Sequence, residues 1–386
     1  MIKRTAEKEL LLLAGLFKTV AVIGPRQSGK TTLVRTVFSN KPYVSLENPD
    51  IRSFAEQDPR GFLDQYPDGA ILDEAQRTPQ LFSYLQQVLD ESNETGQFIL
   101  TGSNNFLLQE SISQSLAGRV AYLQLLPFSL SELKHSVEIA DGDEMIFKGL
   151  YPPVYDRGIP PDKWFQNYIR TYIERDVRQL KNISNLSVFE KFIRLCAGRC
   201  GQLLNLSSLA IETGVDHKTI ASWIGVLESS FIIHLLRPHH QSFNKRLVKM
   251  PKLYFYDTGL VCSLLSIRSK EQVREHPLRG NLFENFIVGE LIKERFNRGL
   301  LSNLYFWRDN SGNEIDVILD EAGSLYPIEI KSGKTITSDY FKGLLFWNKL
   351  MPDVGGSVIY GGDTDQNRSN GMQVISWLNL TKLPLL

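Results

Sequence analysis

Eight consecutive residues near the N-terminus, Gly24–Thr31, have the types and spacing that can hold a polyphosphate. They read Gly-Pro-Arg-Gln-Ser-Gly-Lys-Thr and match the pattern G-x-x-x-x-G-K-S/T in full. The glycines let backbone N–H groups converge on phosphate oxygens, and a following helix adds the positive end of its dipole. In this arrangement Lys30 reaches the β- and γ-phosphates of ATP, and the Thr31 hydroxyl holds Mg²⁺. A chance match in a glycine-containing turn is the alternative.

Two acidic residues follow a second apolar segment. The run Gly69–Glu74 reads as a short strand that ends in Asp73 and Glu74. Phosphoryl transfer of this kind needs a carboxylate at the C-terminal edge of a strand to help hold Mg²⁺, and Asp73 fits that role. Glu74 is then placed to orient and deprotonate the attacking water. Solvated acids at a strand end are the alternative, and the complete loop upstream favours catalysis.

Two further signals are open to a second interpretation. Ser103 and Asn104 follow the strand-like run Phe98–Thr101 and could sense the γ-phosphate, but a plain Gly-Ser-Asn turn fits equally well. Arg119 could enter the site of a neighbouring copy as an arginine finger, which would require a homo-oligomer. An ordinary salt-bridge arginine is the alternative. The predicted catalytic residues are Lys30, Asp73, Glu74 and Arg119, the predicted Mg²⁺ ligands are Thr31 and Asp73, and the predicted nucleotide-binding residues are Gly24, Pro25, Arg26, Gln27, Ser28, Gly29, Lys30, Thr31, Thr32, Ser103 and Asn104.

Strand-like and helical segments alternate around these motifs up to about residue 127. Thr19–Ile23 is a β-branched run ending at a glycine, which predicts a buried strand. Leu10–Phe17, just before it, is predicted to be a buried helix. Alternation of this kind predicts a parallel sheet with helices on both faces. The other strand candidates are Tyr43–Leu46, Ala70–Leu72, Phe98–Thr101 and Val120–Leu125.

These motifs together resemble the prokaryotic AAA-type ATPases of the archaeal-ATPase clade (the AAA_14 type). The resemblance is carried by Gly24–Thr31, by Leu72-Asp73-Glu74-Ala75, by Leu116-Ala117-Gly118-Arg119-Val120 and by Tyr172-Ile173-Glu174-Arg175-Asp176-Val177. It spans nearly the whole chain, because in those proteins the ATPase is followed by the domain of unknown function DUF4143. The resemblance implies an AAA-like fold and ATP hydrolysis, and no settled biological role.

The middle of the chain has the pattern of a helix-turn-helix followed by two strands. Ser207–Thr213 predicts a first helix, Gly214 a turn, and Asp216 the N-cap of a second helix. The stretch between the two following strand-like runs is basic, with Arg237, Lys245, Arg246, Lys249 and Lys252 and no acidic residue. A winged helix has this pattern, and cations in its wing contact nucleic-acid phosphates without reading sequence. A winged helix that binds protein is the alternative.

The C-terminal part contains a charged hairpin and an acidic helix. Alternation places Asp316 on one strand, and Glu329 and Lys331 on the next, together on one face away from the core. Two neighbouring carboxylates can hold Mg²⁺, with a lysine near the attacking water. Glu284 opens a preceding helix. A hairpin with a solvated charged face is the alternative.

This arrangement resembles the PD-(D/E)xK nuclease family. Asp316, Glu329 and Lys331 match its signature, and Glu284 matches its helical acid. Ile315 stands where the family has proline. The resemblance implies a restriction-endonuclease-like fold with a metal-dependent DNA-cleavage site, or an inert relative of one, since many domains of this fold have lost catalysis.

Composition sets the limits of these predictions. The chain has 386 residues, with 42% apolar and 22% charged residues, which is typical of a globular protein of two or three domains. The alternation of strands and helices described above predicts that its fold class is α/β. Its 43 basic and 43 acidic residues exclude a global polycation but not a local basic patch. No run approaches the ~18 apolar residues of a membrane span. The cysteines Cys196, Cys200 and Cys262 predict buried free thiols in a reducing compartment, and hence a cytoplasmic protein.

We therefore predict a P-loop AAA-type parallel-sheet domain at 1–160, a helical and winged-helix-like unit at 161–270, and a PD-(D/E)xK nuclease-like domain at 276–386, with a linker around Arg268–Arg279. The leading hypothesis is a Mg²⁺-dependent ATPase coupled to DNA binding or processing. The rival is an ATP-switched regulatory or scaffold protein that binds protein partners and has an inactive nuclease-like domain. A third interpretation is a nucleotide-binding protein with negligible turnover.

Overall fold

The computed structural model describes residues 2–103, 112, 115–139, 141–172, 185–240, 247–352, 354–369 and 371–384. The chain divides into two compact units. The first comprises Met1–Phe128, Ser229–Phe231 and Phe296–Leu300, and the second comprises Ser129–Glu228, Ile232–Arg295 and Leu301–Leu386. The boundaries of the three predicted domains are not decided by this division and stay a prediction.

A five-stranded parallel sheet forms the centre of the first unit. Its order is β2-β3-β4-β1-β5, so β4 lies between β1 and β3. The predicted parallel sheet is confirmed, and each predicted strand agrees with an observed one to within about two residues. The strands are β1 (Thr19–Ile23), β2 (Tyr43–Ser45), β3 (Ile71–Asp73), β4 (Phe98–Gly102) and β5 (Val120–Gln124).

Short helices connect these strands. Asn48 and Asp58 cap two of them by accepting backbone N–H groups, and a proline follows each cap at the first helical position. The helices are α1 (Glu7–Leu16), α2 (Lys30–Val37), α3 (Pro49–Gln57), α4 (Pro59–Asp64) and α5 (Leu81–Glu91), with a 3-10 turn at Ala75–Arg77.

Helix α1 corrects one prediction. It covers most of Leu10–Phe17, which we expected to be buried, but only Leu10 and Ala14 of α1 are buried. Leu16 is 64% exposed. A helix on the surface of a sheet buries one stripe of side chains. Consecutive leucines lie on different faces of the helix, so some of them are exposed to solvent.

The helices between residues 129 and 350 are mostly short. The helix Pro161–Tyr168 continues through one π-helical turn to Tyr172, and residues 173–184 lie outside the described part of the chain. The helices are α6 (Leu130–Leu133), α7 (Gly142–Lys148), α8 (Pro152–Asp156), α9 (Pro161–Tyr168), α10 (Leu186–Ala197), α11 (Leu206–Thr213), α12 (His217–Ser229), α13 (Thr258–Leu264), α14 (Lys270–Glu275), α15 (Arg279–Phe296) and α16 (Lys342–Leu350), with 3-10 turns at Ser338–Phe341 and Leu380–Lys382.

The segment that contains α10, α11 and α12 also forms a three-stranded antiparallel sheet. Its strands are β6 (Gln202–Leu203), β7 (Ile233–Leu236) and β8 (Lys252–Phe255), in the order β6-β8-β7. Gly214 ends α11 in the left-handed conformation at φ 75°. Asp216 accepts the backbone N–H groups of Lys218 and Thr219 and so begins α12. The turn and cap predicted between these helices are therefore present.

Helix α14 stands where we predicted a linker. Ser269 caps it, and two arginines of the stretch bind the buried carboxylate of Asp143. Arg274 Nε lies 3.3 Å and Arg279 Nε 2.8 Å from Asp143. A short helix therefore occupies part of the predicted linker.

The C-terminal sheet has six strands in the order β13-β14-β12-β11-β10-β9. Strands β9, β10 and β11 run antiparallel, and β11, β12 and β14 run parallel. A bulge between Ile315 and Ile318 places both in one core cluster with Trp307 and Trp347. Ala322 and Gly323 make the predicted hairpin turn, at φ 53° and 89°. The strands are β9 (Leu304–Arg308), β10 (Glu314–Glu321), β11 (Ser324–Lys331), β12 (Gly356–Tyr360), β13 (Gln366–Asn367) and β14 (Met372–Ser376).

The described residues include no helix with the length and apolar character that crossing a bilayer requires. Cys196, Cys200 and Cys262 are buried free thiols, as predicted.

Candidate nucleotide-binding site and C-terminal acidic cluster

The loop Gly24–Thr31 joins β1 to α2 through backbone conformations that only some residues adopt. Gln27 and Gly29 have φ values of 63° and 96°. Gly24 passes so close to β5 that a Cβ atom there would lie 2.1 Å from the carbonyl oxygen of Leu125. A side chain at this position would displace the loop, so glycine is required for its course.

Lys30, the first residue of α2, points back into this loop. It is only 5% exposed, and its Nζ donates to the carbonyls of Gly24 at 3.0 Å and Pro25 at 2.8 Å. Burial lowers the pKa of Lys30, although the charges of Glu74 and Asp73 act in the opposite direction. The ammonium group therefore lies near both acids, inside the loop that the sequence assigns to phosphate.

Asp73, the last residue of β3, accepts hydrogen bonds from three hydroxyl groups. Thr31 Oγ1 donates to its Oδ1 at 2.9 Å, Thr101 donates to the same oxygen, and Tyr43 donates to Oδ2 at 2.7 Å. Hydroxyl and carboxylate oxygens are the protein ligands that Mg²⁺ prefers. Thr31 and Asp73 are thus in contact and fit a Mg²⁺ site.

Glu74 follows in a left-handed backbone conformation, at φ 55° and ψ 46°. This conformation is strained for a residue with a Cβ atom. Ser103 Oγ donates to Glu74 Oε2 at 2.9 Å, Gln76 donates to the same oxygen, and the Glu74 N–H donates to Thr101 Oγ1 at 3.3 Å. The turn and these donors hold the carboxylate beside the end of β4.

The remaining predicted loop residues differ in burial. Ser28 is buried and its Oγ has no hydrogen-bond partner among the described residues. Gln27 and Thr32 are exposed. Arg26 lies 3.9 Å from Glu47. Asn104 lies outside the described part of the chain.

Arg119 makes a two-pronged ion pair with Asp90. Nε lies 2.5 Å and the second nitrogen 2.9 Å from the two carboxylate oxygens, and the guanidinium also donates to the carbonyl of Ala117. The hydrogen bond with Asp90 raises the pKa of Arg119. The salt-bridge interpretation describes this geometry, and the arginine finger stays a prediction.

Sequence reasoning missed three residues at this site. Thr101 and Tyr43 bind Asp73 but come from β4 and β2, which only the strand order brings beside β3. Arg4 is buried and donates to the carbonyls of Ser28 and Leu126, each at 2.7 Å. It therefore links the loop to the segment that follows β5. No local motif marks any of the three.

Replacing Thr31 with valine tests the predicted Mg²⁺ ligand. The variant keeps the shape of the side chain but loses the oxygen, so we expect Mg²⁺-dependent nucleotide affinity to fall by about tenfold or more. Titration of a fluorescent ATP analogue with and without EDTA measures this effect. Thr36→Val, one turn later on α2, is the matched control, and an equal loss in both variants would contradict a metal-ligand role for Thr31.

The second set of predicted site residues meets on β10 and β11. Lys331 Nζ lies 3.1 Å from Asp316 Oδ2 and 2.5 Å from Glu329 Oε2. Asp316 and Glu329 are buried, which corrects the expectation that this face points away from the core. Burial and the neighbouring Asp316 raise the pKa of Glu329 to about 8. Although burial opposes it, Lys331 and Lys252 hold the pKa of Asp316 below its usual range.

Glu284 forms an ion pair with Lys252, a lysine that we predicted to contact nucleic-acid phosphates in the wing. Lys252 on β8 lies with its Nζ 2.9 Å from Glu284 Oε1 and 2.5 Å from Glu314 Oε1. The Tyr254 hydroxyl donates to Glu284 Oε1 at 2.5 Å. The expectation that Lys252 contacts phosphate in an exposed wing is therefore wrong, because its side chain is enclosed by carboxylates.

We call Glu284, Glu314, Asp316 and Glu329 the acidic cluster. Its carboxylates are already bound by Lys252 and Lys331. Within the described ranges, no group of three His, Cys, Asp or Glu side chains is arranged to hold a metal ion. The cluster as it stands does not fit the Mg²⁺ site that the resemblance to nucleases implies.

The structure describes only some of the other basic residues between β7 and β8. Arg237 and Lys249 are exposed, while Lys245 and Arg246 lie outside the described residues. His239 is buried, and its Nε2 lies 3.1 Å from Asp320 Oδ2.

Three family models match this chain in succession. The model described as an AAA domain matches residues 16–134. Two domains of unknown function follow, DUF8612 at residues 139–271 and DUF4143 at residues 279–380. The AAA domain and the DUF4143 region indicated by the sequence are confirmed.

Two mycobacterial proteins are similar over most of their length. The uncharacterized proteins Mb2031c of Mycobacterium bovis and Rv2008c of Mycobacterium tuberculosis are each 30% identical over 322 residues, which is 82% of this chain and 70% of theirs. Among solved structures, the Walker-type ATPase PABY2304 of Pyrococcus abyssi is 15% identical, with a TM-score of 0.48, covering 68% of this chain and 96% of its own.

Proposed function

This chain belongs to the same family as the mycobacterial proteins Mb2031c and Rv2008c, and we propose that it is a Mg²⁺-dependent ATPase coupled to DNA binding. One observation carries the ATPase proposal: Lys30 lies inside the loop Gly24–Thr31, and Thr31 of that loop contacts Asp73, which ends β3 and is followed by Glu74. Residues of these types at one sheet edge are what phosphoryl transfer to water requires.

Each residue then has a defined task. The loop N–H groups and Lys30 bind the phosphates and stabilise the charge that develops on them. Thr31 and Asp73 hold Mg²⁺, which neutralises phosphate charge when bound. Glu74 accepts the proton of the attacking water, and Ser103 keeps its carboxylate oriented. Arg4 acts as a positioning residue through the carbonyl of Ser28.

Two features support the DNA-binding part of the proposal. The order α10, β6, α11, α12, β7, β8 with a β6-β8-β7 sheet resembles that of a winged helix and supports this part of the proposal. Lys218 on the exposed side of α12, with Arg237 and Lys249 at the strand ends, supplies cations that can contact phosphates. The six-stranded C-terminal sheet, with Asp316 and Glu329 on adjacent strands, similarly supports a nuclease-like fold.

The alternative function is an ATP-switched scaffold that binds protein through the same helix-turn-helix. The burial of Lys252 favours it, because the basic stretch loses one of its five predicted phosphate contacts. In either case the buried free thiols suit a reducing compartment such as the cytoplasm.

DNA-stimulated hydrolysis separates the two functions. We expect duplex DNA to raise the Mg²⁺-ATP turnover of the full chain, and log affinity to fall with log salt by about 0.9 per phosphate contact. The double variant Arg237→Gln/Lys249→Gln lowers this slope by about 1 for each contact removed. Lys349→Gln, an exposed lysine on α16, is the control. Turnover that single-stranded, duplex and branched DNA all leave unchanged would contradict the proposal and favour the scaffold.

A further inference from the structure

Lys252 is fixed inside the acidic cluster by its backbone as well as by its charge. It is 3% exposed and belongs to β8, which is hydrogen-bonded on both sides, to β6 and to β7. Its ammonium group joins Glu284 on α15 to Glu314 on β10. Tyr254, two residues along the same strand, binds the same Glu284 oxygen. The strand thus presents a hydroxyl and a cation to one carboxylate.

Every carboxylate of the cluster has a lysine partner. Lys252 binds Glu284 and Glu314, and Lys331 binds Asp316 and Glu329. A divalent cation at the same oxygens would meet the positive charges of the buried Lys252 and the half-buried Lys331, and it would have to displace their hydrogen bonds. Glu329 Oε1 is buried and has no hydrogen-bond partner among the described residues.

We propose that the ammonium group of Lys252 takes the place of a divalent cation in the acidic cluster, so that the C-terminal unit binds no Mg²⁺ there and does not cleave DNA. The cluster instead fastens the three-stranded sheet to α15 and β10 through a lysine. This inference does not depend on the ATPase activity, because all of its residues belong to the second unit.

Manganese binding to the full, nucleotide-free chain tests the proposal. Free Mn²⁺ is measured by its electron paramagnetic resonance signal, in an Asp73→Asn background that disables the predicted P-loop ligand. We expect the chain with Lys252 intact to show no Mn²⁺ binding that depends on Asp316. Lys252→Gln removes one of the two lysine charges from the cluster, so we expect it to gain about one Mn²⁺ per chain, the number such a carboxylate cluster can hold. Adding Asp316→Asn then removes this gain.

Lys342→Gln, an exposed lysine of the same unit, controls for the loss of a positive charge and should gain no site. Binding of Mn²⁺ to the Lys252-containing chain that Asp316→Asn abolishes would overturn the proposal. So would a folded Lys252→Gln variant that gains no Mn²⁺. If Lys252→Gln does not fold, the comparison of the intact chain with Asp316→Asn decides, since Asp316-dependent binding contradicts the proposal and its absence supports it.

Discussion

Replacing Glu74 with glutamine is expected to leave ATP bound and to stop its hydrolysis. Glutamine keeps the shape of the side chain and can still accept the hydrogen bond from Ser103, but it cannot take a proton from water. Loss of a general base lowers turnover by about 10²- to 10⁴-fold. We therefore expect kcat to fall within that range, while affinity for a fluorescent ATP analogue changes little.

Single-turnover phosphate release measures the chemical step, and equilibrium titration measures binding. Glu56→Gln, an exposed glutamate of α3, is the matched control and should keep the original rate. Retention of full turnover in Glu74→Gln would remove Glu74 from the mechanism. A starting turnover already at background would instead identify a nucleotide-binding protein without significant hydrolysis.

Replacing Lys30 with methionine is expected to abolish both tight ATP binding and hydrolysis. Methionine fills the buried volume but has no charge for the phosphates, and removal of one such transition-state contact costs about a hundredfold or more in rate. Turnover at saturating ATP and the dissociation constant of the nucleotide should both change.

Lys41 provides an unusually close control for Lys30→Met. Its Nζ also donates to two backbone carbonyls, those of Asp68 and Gln97, each at 3.1 Å, but away from the loop. Lys41→Met therefore loses the same kind of contact without touching the nucleotide site. If the two variants lose activity to the same degree, the loss at Lys30 is structural and the phosphate-binding role is wrong.

The nucleotide site could be predicted because its signals are local. The loop, the β-branched strand before it and the acids after β3 are adjacent in sequence, so spacing alone indicates their positions. Thr101 and Tyr43 could not be predicted in this way. Their contacts with Asp73 depend on β4 and β2 lying on either side of β3, and strand order is a property of the whole sheet.

The acidic cluster shows the same limit more clearly. Alternation along two strands places Asp316, Glu329 and Lys331 on one face, and the structure does bring them together. The residues before Lys252 in the sequence include several basic ones and no acidic one, so the sequence alone predicts an exposed cation at this position. Its partner Glu284 is 32 positions away, and only the packing of β8 against α15 turns a predicted DNA contact into an internal ion pair.

Lys30 donates to the carbonyls of Gly24 and Pro25, so a phosphate group that binds this lysine has to replace those hydrogen bonds. Nucleotide can take the lysine only in the fraction of molecules in which those bonds are open, so the apparent dissociation constant is the intrinsic one divided by that fraction. Each tenfold decrease in the open population weakens the observed affinity by about 1.4 kcal/mol. Nucleotide affinity therefore depends both on the contacts made to phosphate and on the fraction of molecules in which Lys30 is not hydrogen-bonded to the loop.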